Sequence, residues 1–152
     1  DGIIEFLTRE FPGAYADTRE YGGQTVYFDK QAKLSVGMLH GRFQDSPEYT
    51  IADVDEMTIF ADYLIPALLR EENVLEYSEE LASAVDSKER LAEGSKMEVE
   101  IRIGTILTGE RLLDRINSKR AEPINGLQLD QALWRSGRNR ELVHHFTETT
   151  TY

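Results

Sequence analysis

The chain has no cysteine, which removes disulfide scaffolds, thiol nucleophiles and thiolate metal sites. Histidine is scarce too, with His40, His144 and His145 the full set. They form neither an HExxH motif nor another spaced ligand set, so no metal is expected. No run of 18 apolar residues occurs and no basic-then-apolar stretch opens the sequence. Neither a membrane span nor a secretory leader is therefore expected, and the expected compartment is the cytoplasm. Positive charge is in short supply, with 17 Lys and Arg against 28 Asp and Glu and a formal net charge of −11. Polyanion binding needs clustered cations, so nucleic acid is not an expected direct partner and any anionic substrate must be small. The acidic residues at Glu71-Glu72, Glu79-Glu80 and Glu98-Glu100 fall on helical faces, where solvation accounts for them.

What is present suffices for one packed core: 152 residues, 40% hydrophobic and 30% charged, the size of a single domain. The pattern predicts a mainly α protein, one helical domain over residues 1–152 with at most a small β element. Gly2 to Leu7 already reads as a helix, ended by Phe11-Pro12-Gly13, and there is no starter Met. This chain is therefore expected to be the carboxy-terminal part of a longer protein. Tyr21-Gly22-Gly23 is a turn signal. Val26-Tyr27-Phe28 then reads either as a short strand or as the entry to a helix through Ala32, Leu34, Val36, Met38 and Leu39, and length favours the helix. Asp45-Ser46-Pro47 reads as a loop. Ser78-Glu79-Glu80-Leu81 looks like a capped helix start, and Gly94-Ser95 is a break before the next apolar pattern. From Met97 to Ile116 the spacing predicts one long helix. After the loop Glu122 to Gly126, a last helix is expected from about Leu127 to Arg138, and the β-branched tail from His145 to Tyr152 is a candidate edge strand.

Two carboxylates sit where apolar side chains belong. At 100° per residue, Asp53 to Arg70 reads as a helix with Met57, Phe60, Ala61, Leu64, Ile65 and Leu68 on one arc, and Asp62 at its edge. Asp55 lies on the same edge. Pro66 has no N–H and would leave the carbonyl of Asp62 unpaired, kinking the helix there. On the last helix, Asp130 falls in the middle of the arc formed by Leu127, Leu129, Leu133 and Trp134. A buried carboxylate has to be hydrogen-bonded, paired with a cation such as Arg102, or raised in pKa. Trp134, one turn on, offers an apolar wall.

The run from Asp53 to Pro66, DVDEMTIFADYLIP, together with Tyr77-Ser78-Glu79-Glu80-Leu81, Glu98 to Arg102, Leu129-Asp130 and Leu133-Trp134, resembles the queuosine salvage protein family. Members of that family are queuosine 5′-phosphate N-glycosidases. Lys30 and Ala32 fit the family's Lys-Arg-Ala-Gln helix, and Tyr152 fits its aromatic terminus. The similarity runs in order over nearly the whole chain and corresponds to the carboxy-terminal half of a typical member. It implies hydrolysis of the N-glycosidic bond of queuosine 5′-monophosphate to release queuine, without a cofactor, in support of tRNA modification. The partner implied is a small modified nucleotide or nucleobase.

The family's Phe-x-Asp pair carries onto Phe60 and Asp62, an aromatic face to stack the base and a carboxylate to accept from its guanine-like edge. Asp130 matches the first aspartate of the family's Asp-Tyr-Tyr-Leu-Trp-Asp element. A carboxylate there would hold the ribose or the base's cationic side chain, or stabilise charge developing at the anomeric carbon. Gln131 replaces the following tyrosine and Arg135 the second aspartate. An arginine repels an oxocarbenium-like transition state but suits a 5′-phosphate. Besides the hydrolase, the resemblance therefore implies an alternative, a catalytically impaired nucleobase or nucleotide binder. Lys30, Arg19 and Arg102 are further phosphate candidates by charge and by position at loops and helix ends.

Overall fold

The computed structural model describes residues 2–46, 48–49, 51 and 54–152. Among them are seven α-helices and one two-stranded sheet, the mainly α fold expected. Helices α1 (Ile3–Glu10) and α2 (Pro12–Tyr15) lead into a hairpin of β1 (Thr18–Tyr21) and β2 (Gln24–Tyr27). The strands pair antiparallel from Thr18 opposite Tyr27 to Tyr21 opposite Gln24. Gly22 and Gly23, at φ 59° and 77°, supply the left-handed two-residue loop that matches strand twist. Helix α3 (Lys30–Phe43) comes next, so Val26-Tyr27 belongs to a strand and not to the helix entry. The turn signal was legible; the partner strand was not, because Thr18 to Tyr21 alternates only between exposed and half-buried positions.

Three later helices start at side-chain caps. Ser78 accepts from the Leu81 amide to open α5 (Glu79–Asp86). Ser95 accepts from the Glu98 amide to open α6 (Lys96–Asn117). Asn125 and Gln128 form a reciprocal capping box at the start of α7 (Gly126–Gly137). Each cap satisfies an amide that the helix cannot pair internally.

The kinked helix over Asp53–Arg70 is not observed. Asp53 lies outside the described residues; Val54–Glu56 is a single 3-10 turn, residues 57–63 are non-helical, and α4 spans Leu64–Glu71. Pro66 sits in the first turn of α4, where a missing N–H costs no helical bond, so it starts a helix and does not kink one. Met57, Ile59, Phe60 and Ala61 are apolar and buried because the segment crosses the core. Ile59 packs with Ile65, Leu69 and Leu129. Phe60 packs with Val36, Met57 and Leu127. Ala61 packs with Phe28 and Val99. Consecutive residues thus enter three different clusters, and a contiguous buried run carries no period that separates helix from extended chain.

The tail forms no edge strand. Its β contribution is one parallel bridge between Arg90 and Phe146, and the backbone from Glu141 to Tyr152 otherwise runs as irregular chain over the surface. Among the described residues no helix is long and apolar enough to cross a membrane.

Candidate active site

Helices α3 and α7 present two stripes to a common space, and the non-helical segment before α4 closes it. On α7 the stripe runs Leu127, Asp130, Gln131, Trp134, Arg135 and Arg138, the spacing of one continuous helical face. On α3 it is Lys30, Leu34, Gly37 and Met38. Phe60 and Asp62 complete the lining of a cavity of about 460 Å³, the size of a small-molecule site. Six residues singled out in the sequence, Lys30, Phe60, Asp62, Asp130, Trp134 and Arg135, therefore meet in one place. Leu34, Met38 and Arg138 were not singled out, although each continues a helical stripe already marked by a chosen residue.

Each carboxylate is anchored through one oxygen. Asp62 Oδ1 accepts from the backbone N–H of Leu64 and of Ile65, both at 2.9 Å, and so caps α4. Asp130 Oδ1 accepts from the Phe60 amide at 2.7 Å, tying α7 to the non-helical segment. The Oδ2 atom of each has no hydrogen-bond partner among the described residues. Burial drives both pKa values up. Asp130 rises to about 7, because desolvation and the neighbouring charge of Asp62 outweigh the Phe60 amide and Lys30. Asp62 also rises by desolvation, opposed by the Ile65 amide, Lys30 and the Leu64 amide. Burial disfavours the charged form, and a second carboxylate nearby adds to the effect.

The cations divide into two groups. Lys30, Arg135 and Arg138 line the cavity and none forms a salt bridge among the described residues. Arg135 is exposed, with Nε donating to the Gln131 carbonyl at 3.1 Å. Arg138 lies over the half-exposed Trp134 ring, 5.2 Å from its centroid, a cation–π contact at the rim of the cavity. Arg102 and Arg19 are elsewhere. Arg102 is fully buried and pairs with Asp17 and Glu98, which consumes its charge, and Arg19 pairs with Asp17 and Glu93; Glu98, expected on a solvated face, is instead fully buried because it neutralises Arg102. Neither lines the cavity, so the structure does not bring these two phosphate candidates to the site. The suggested partnership of Asp130 with Arg102 is likewise absent; Asp130 has a backbone amide instead.

A mainly helical fold that gathers an aromatic wall, two half-satisfied buried carboxylates and a cationic rim around one cavity defines a candidate small-molecule site. The chain belongs to the queuosine salvage protein family, which it matches over residues 1–152. It is 35% identical over 155 residues to the queuosine 5′-phosphate N-glycosylase/hydrolase of Dictyostelium discoideum, covering 99% of this chain and 47% of that protein. The protein of the same name from Sphaerobacter thermophilus is 33% identical over 153 residues, with 99% and 47% covered. That of Mus musculus is 32% identical over 138 residues, with 87% and 40% covered. The chain spans about half the length, or less, of these relatives.

Proposed function

We propose that the protein carrying this chain hydrolyses the N-glycosidic bond of queuosine 5′-monophosphate and releases queuine, a cytoplasmic salvage step for a tRNA-modification base. The observation that carries this reading is the convergence of Phe60, Asp62 and Asp130 on one cavity, each carboxylate with one oxygen anchored and the other unpartnered. Phe60 and Trp134 provide faces for a flat base. Asp62 Oδ2 accepts from the donor edge of the deazaguanine, a geometry in which a backbone-anchored carboxylate discriminates strongly because an analogue lacking the donor leaves it unpaired. Asp130, as the carboxylate, faces the sugar and stabilises positive charge building at the anomeric carbon as the bond to the base breaks; water adds to that carbon, and the proton it gives up balances the one taken by the departing base. Lys30 and Arg135 hold the 5′-phosphate, with Arg138 beside them at the rim.

Arg135 does not leave the cavity without a catalytic carboxylate, since Asp130 remains next to Asp62 and is raised to about 7, a value suited to work near neutrality. The impaired binder is therefore not the reading favoured here. The deciding experiment incubates the complete protein with queuosine 5′-monophosphate and follows free queuine by liquid chromatography and mass spectrometry. Turnover that is lost in D130N is the expected result. No base released at high enzyme concentration overturns the hydrolase, and ligand-dependent thermal stabilisation without release would identify a binder instead.

A further inference from the structure

Arg102 is the largest fully buried side chain among the described residues, and its contacts lead to the site. Its guanidinium pairs with Asp17 of the loop before β1 and with Glu98 one turn back on α6. Its Nε donates to the carbonyl of Ala61 at 3.3 Å. Ala61 is the residue between Phe60 and Asp62. Two aromatic rings lie against the same guanidinium: Phe28, with its centroid 3.8 Å away, and Tyr152, at 4.5 Å. Tyr152 is far from Ala61 in the sequence and is itself fastened. Its hydroxyl lies 3.2 Å from Nε2 of the buried His145, and the tail is pinned by the Leu91 amide on the Phe146 carbonyl at 2.8 Å.

We propose that Tyr152 is a positioning residue: its ring clamps the Arg102 guanidinium so that Nε stays on the Ala61 carbonyl and fixes the register of Phe60 and Asp62 in the cavity. Two carboxylates draw the Nη edge of Arg102 away from Ala61, and the 3.3 Å Nε bond is stretched just beyond the usual range of about 2.7–3.2 Å. A ring against the guanidinium plane opposes that tilt, and the contact is favourable because the cation is desolvated. When the ring is lost, the guanidinium turns toward Asp17 and Glu98 and the Ala61 carbonyl is released. The segment bearing Phe60 and Asp62 then loosens. Displacement of a substrate-holding group by about 1 Å costs up to about a hundredfold in kcat/KM, here through KM because the group holds the base. Tyr152 is also the gentle place to test the linkage, since changing Arg102 itself strands two buried carboxylates and endangers the fold.

The inference rests on the base-binding role proposed above for Phe60 and Asp62, and two readouts separate its failure from the failure of that role. Y152F, Y152L and Y152A are made in the complete protein. Kinetics with queuosine 5′-monophosphate are measured beside hydrogen exchange at the Leu64 and Ile65 amides, which Asp62 caps. Y152F keeps the ring on the guanidinium and loses only the hydroxyl's contact with His145, so it is expected to lie much closer to the parent than to Y152A in both readouts. Y152L and Y152A should raise KM about tenfold or more while kcat changes less than about threefold, because the loss is in holding the base. The same two variants should exchange the Leu64 and Ile65 amides about tenfold faster, with the interior amides of α7 unchanged. The clamp is overturned if Y152L behaves as the parent in both readouts, or if Y152F is as impaired as Y152A. If the parent protein releases no queuine, the hydrolase reading fails, and the clamp stands or falls on the exchange of the two amides.

Discussion

Asp130 concentrates the chemistry of the site at the scale of one residue. Its pKa moves from 3.8 to about 7 through desolvation first and the charge of Asp62 second. If it works as the carboxylate, kcat/KM should rise with pH through about 7 and level above it, since that profile reports the free enzyme's essential groups. A profile flat from about pH 6 to 8 would count against it. The same shift predicts a stability effect of definite sign. Between the unfolded and folded values the folded state keeps a proton that the unfolded state has released, so the contribution is full below the unfolded pKa and is lost as pH rises through the folded one. At pH 8 the ionised, buried group therefore costs up to about 4 kcal/mol. D130N keeps an acceptor for the Phe60 amide and removes the charge. It should be more stable than the parent at pH 8, equal to it near pH 4, and slower in turnover by about a hundredfold or more. Denaturant midpoints at the two pH values decide it: equal midpoints at pH 8 would show that the carboxylate is not strained by burial. The burial of Asp130 was legible because one helical wheel places it among Leu127 and Leu129. The fate of Arg102 was not, since its partner Asp17 is 85 positions away and no local pattern joins them.

At the scale of elements, the segment from Met57 to Asp62 explains both what sequence periodicity captures and what it misses. Helices α5, α6 and α7 were legible from their caps and apolar spacing, because local hydrogen bonds and one buried face determine them. This non-helical segment is buried at every position except the half-buried Thr58, and its shape is set by the elements it threads between. One mark of that threading is Gly126: a Cβ there would stand 1.9 Å from the Met57 carbonyl oxygen. G126A should thus push the segment away from α7, lowering stability by about 2 kcal/mol or more and base binding with it. A chemical denaturation curve indistinguishable from the parent's would show that the approach is not close. Asp62 offers a finer test, since one oxygen caps α4 and the other is left for the ligand. D62A should lose about 1 kcal/mol as a lost cap. D62N retains a cap acceptor, so its stability should hold while its KM for the nucleotide rises, because an amide donor now meets the donor edge of the base. Equal KM values for D62N and the parent would remove the base-edge role.

Across the whole molecule the distribution of charge matters more than its sum. A chain of formal charge −11 repels an anionic nucleotide at long range, so cations must be local and unspent where it binds. Arg102 and Arg19 are committed to carboxylates, whereas Lys30, Arg135 and Arg138 line the cavity without a salt bridge among the described residues. Placed within a Debye length of about 8 Å at physiological salt, such a group can dominate the field that the ligand meets despite the acidic surface beyond. Removing two of the three cations tests this with an internal control. The double variant R135A/R138A should raise KM for queuosine 5′-monophosphate by about tenfold to a hundredfold. The same substitutions should leave KM for the unphosphorylated nucleoside within about twofold, because the faces and carboxylates that hold the base are untouched. Raising ionic strength should weaken binding of the monophosphate by the parent protein and have a smaller effect on the variant. If both ligands lose affinity equally, Arg138 acts by holding Trp134 over the base and the phosphate is read elsewhere. Loss confined to the monophosphate assigns the rim to the phosphate and leaves Phe60, Asp62 and Asp130 to the base and the bond that breaks.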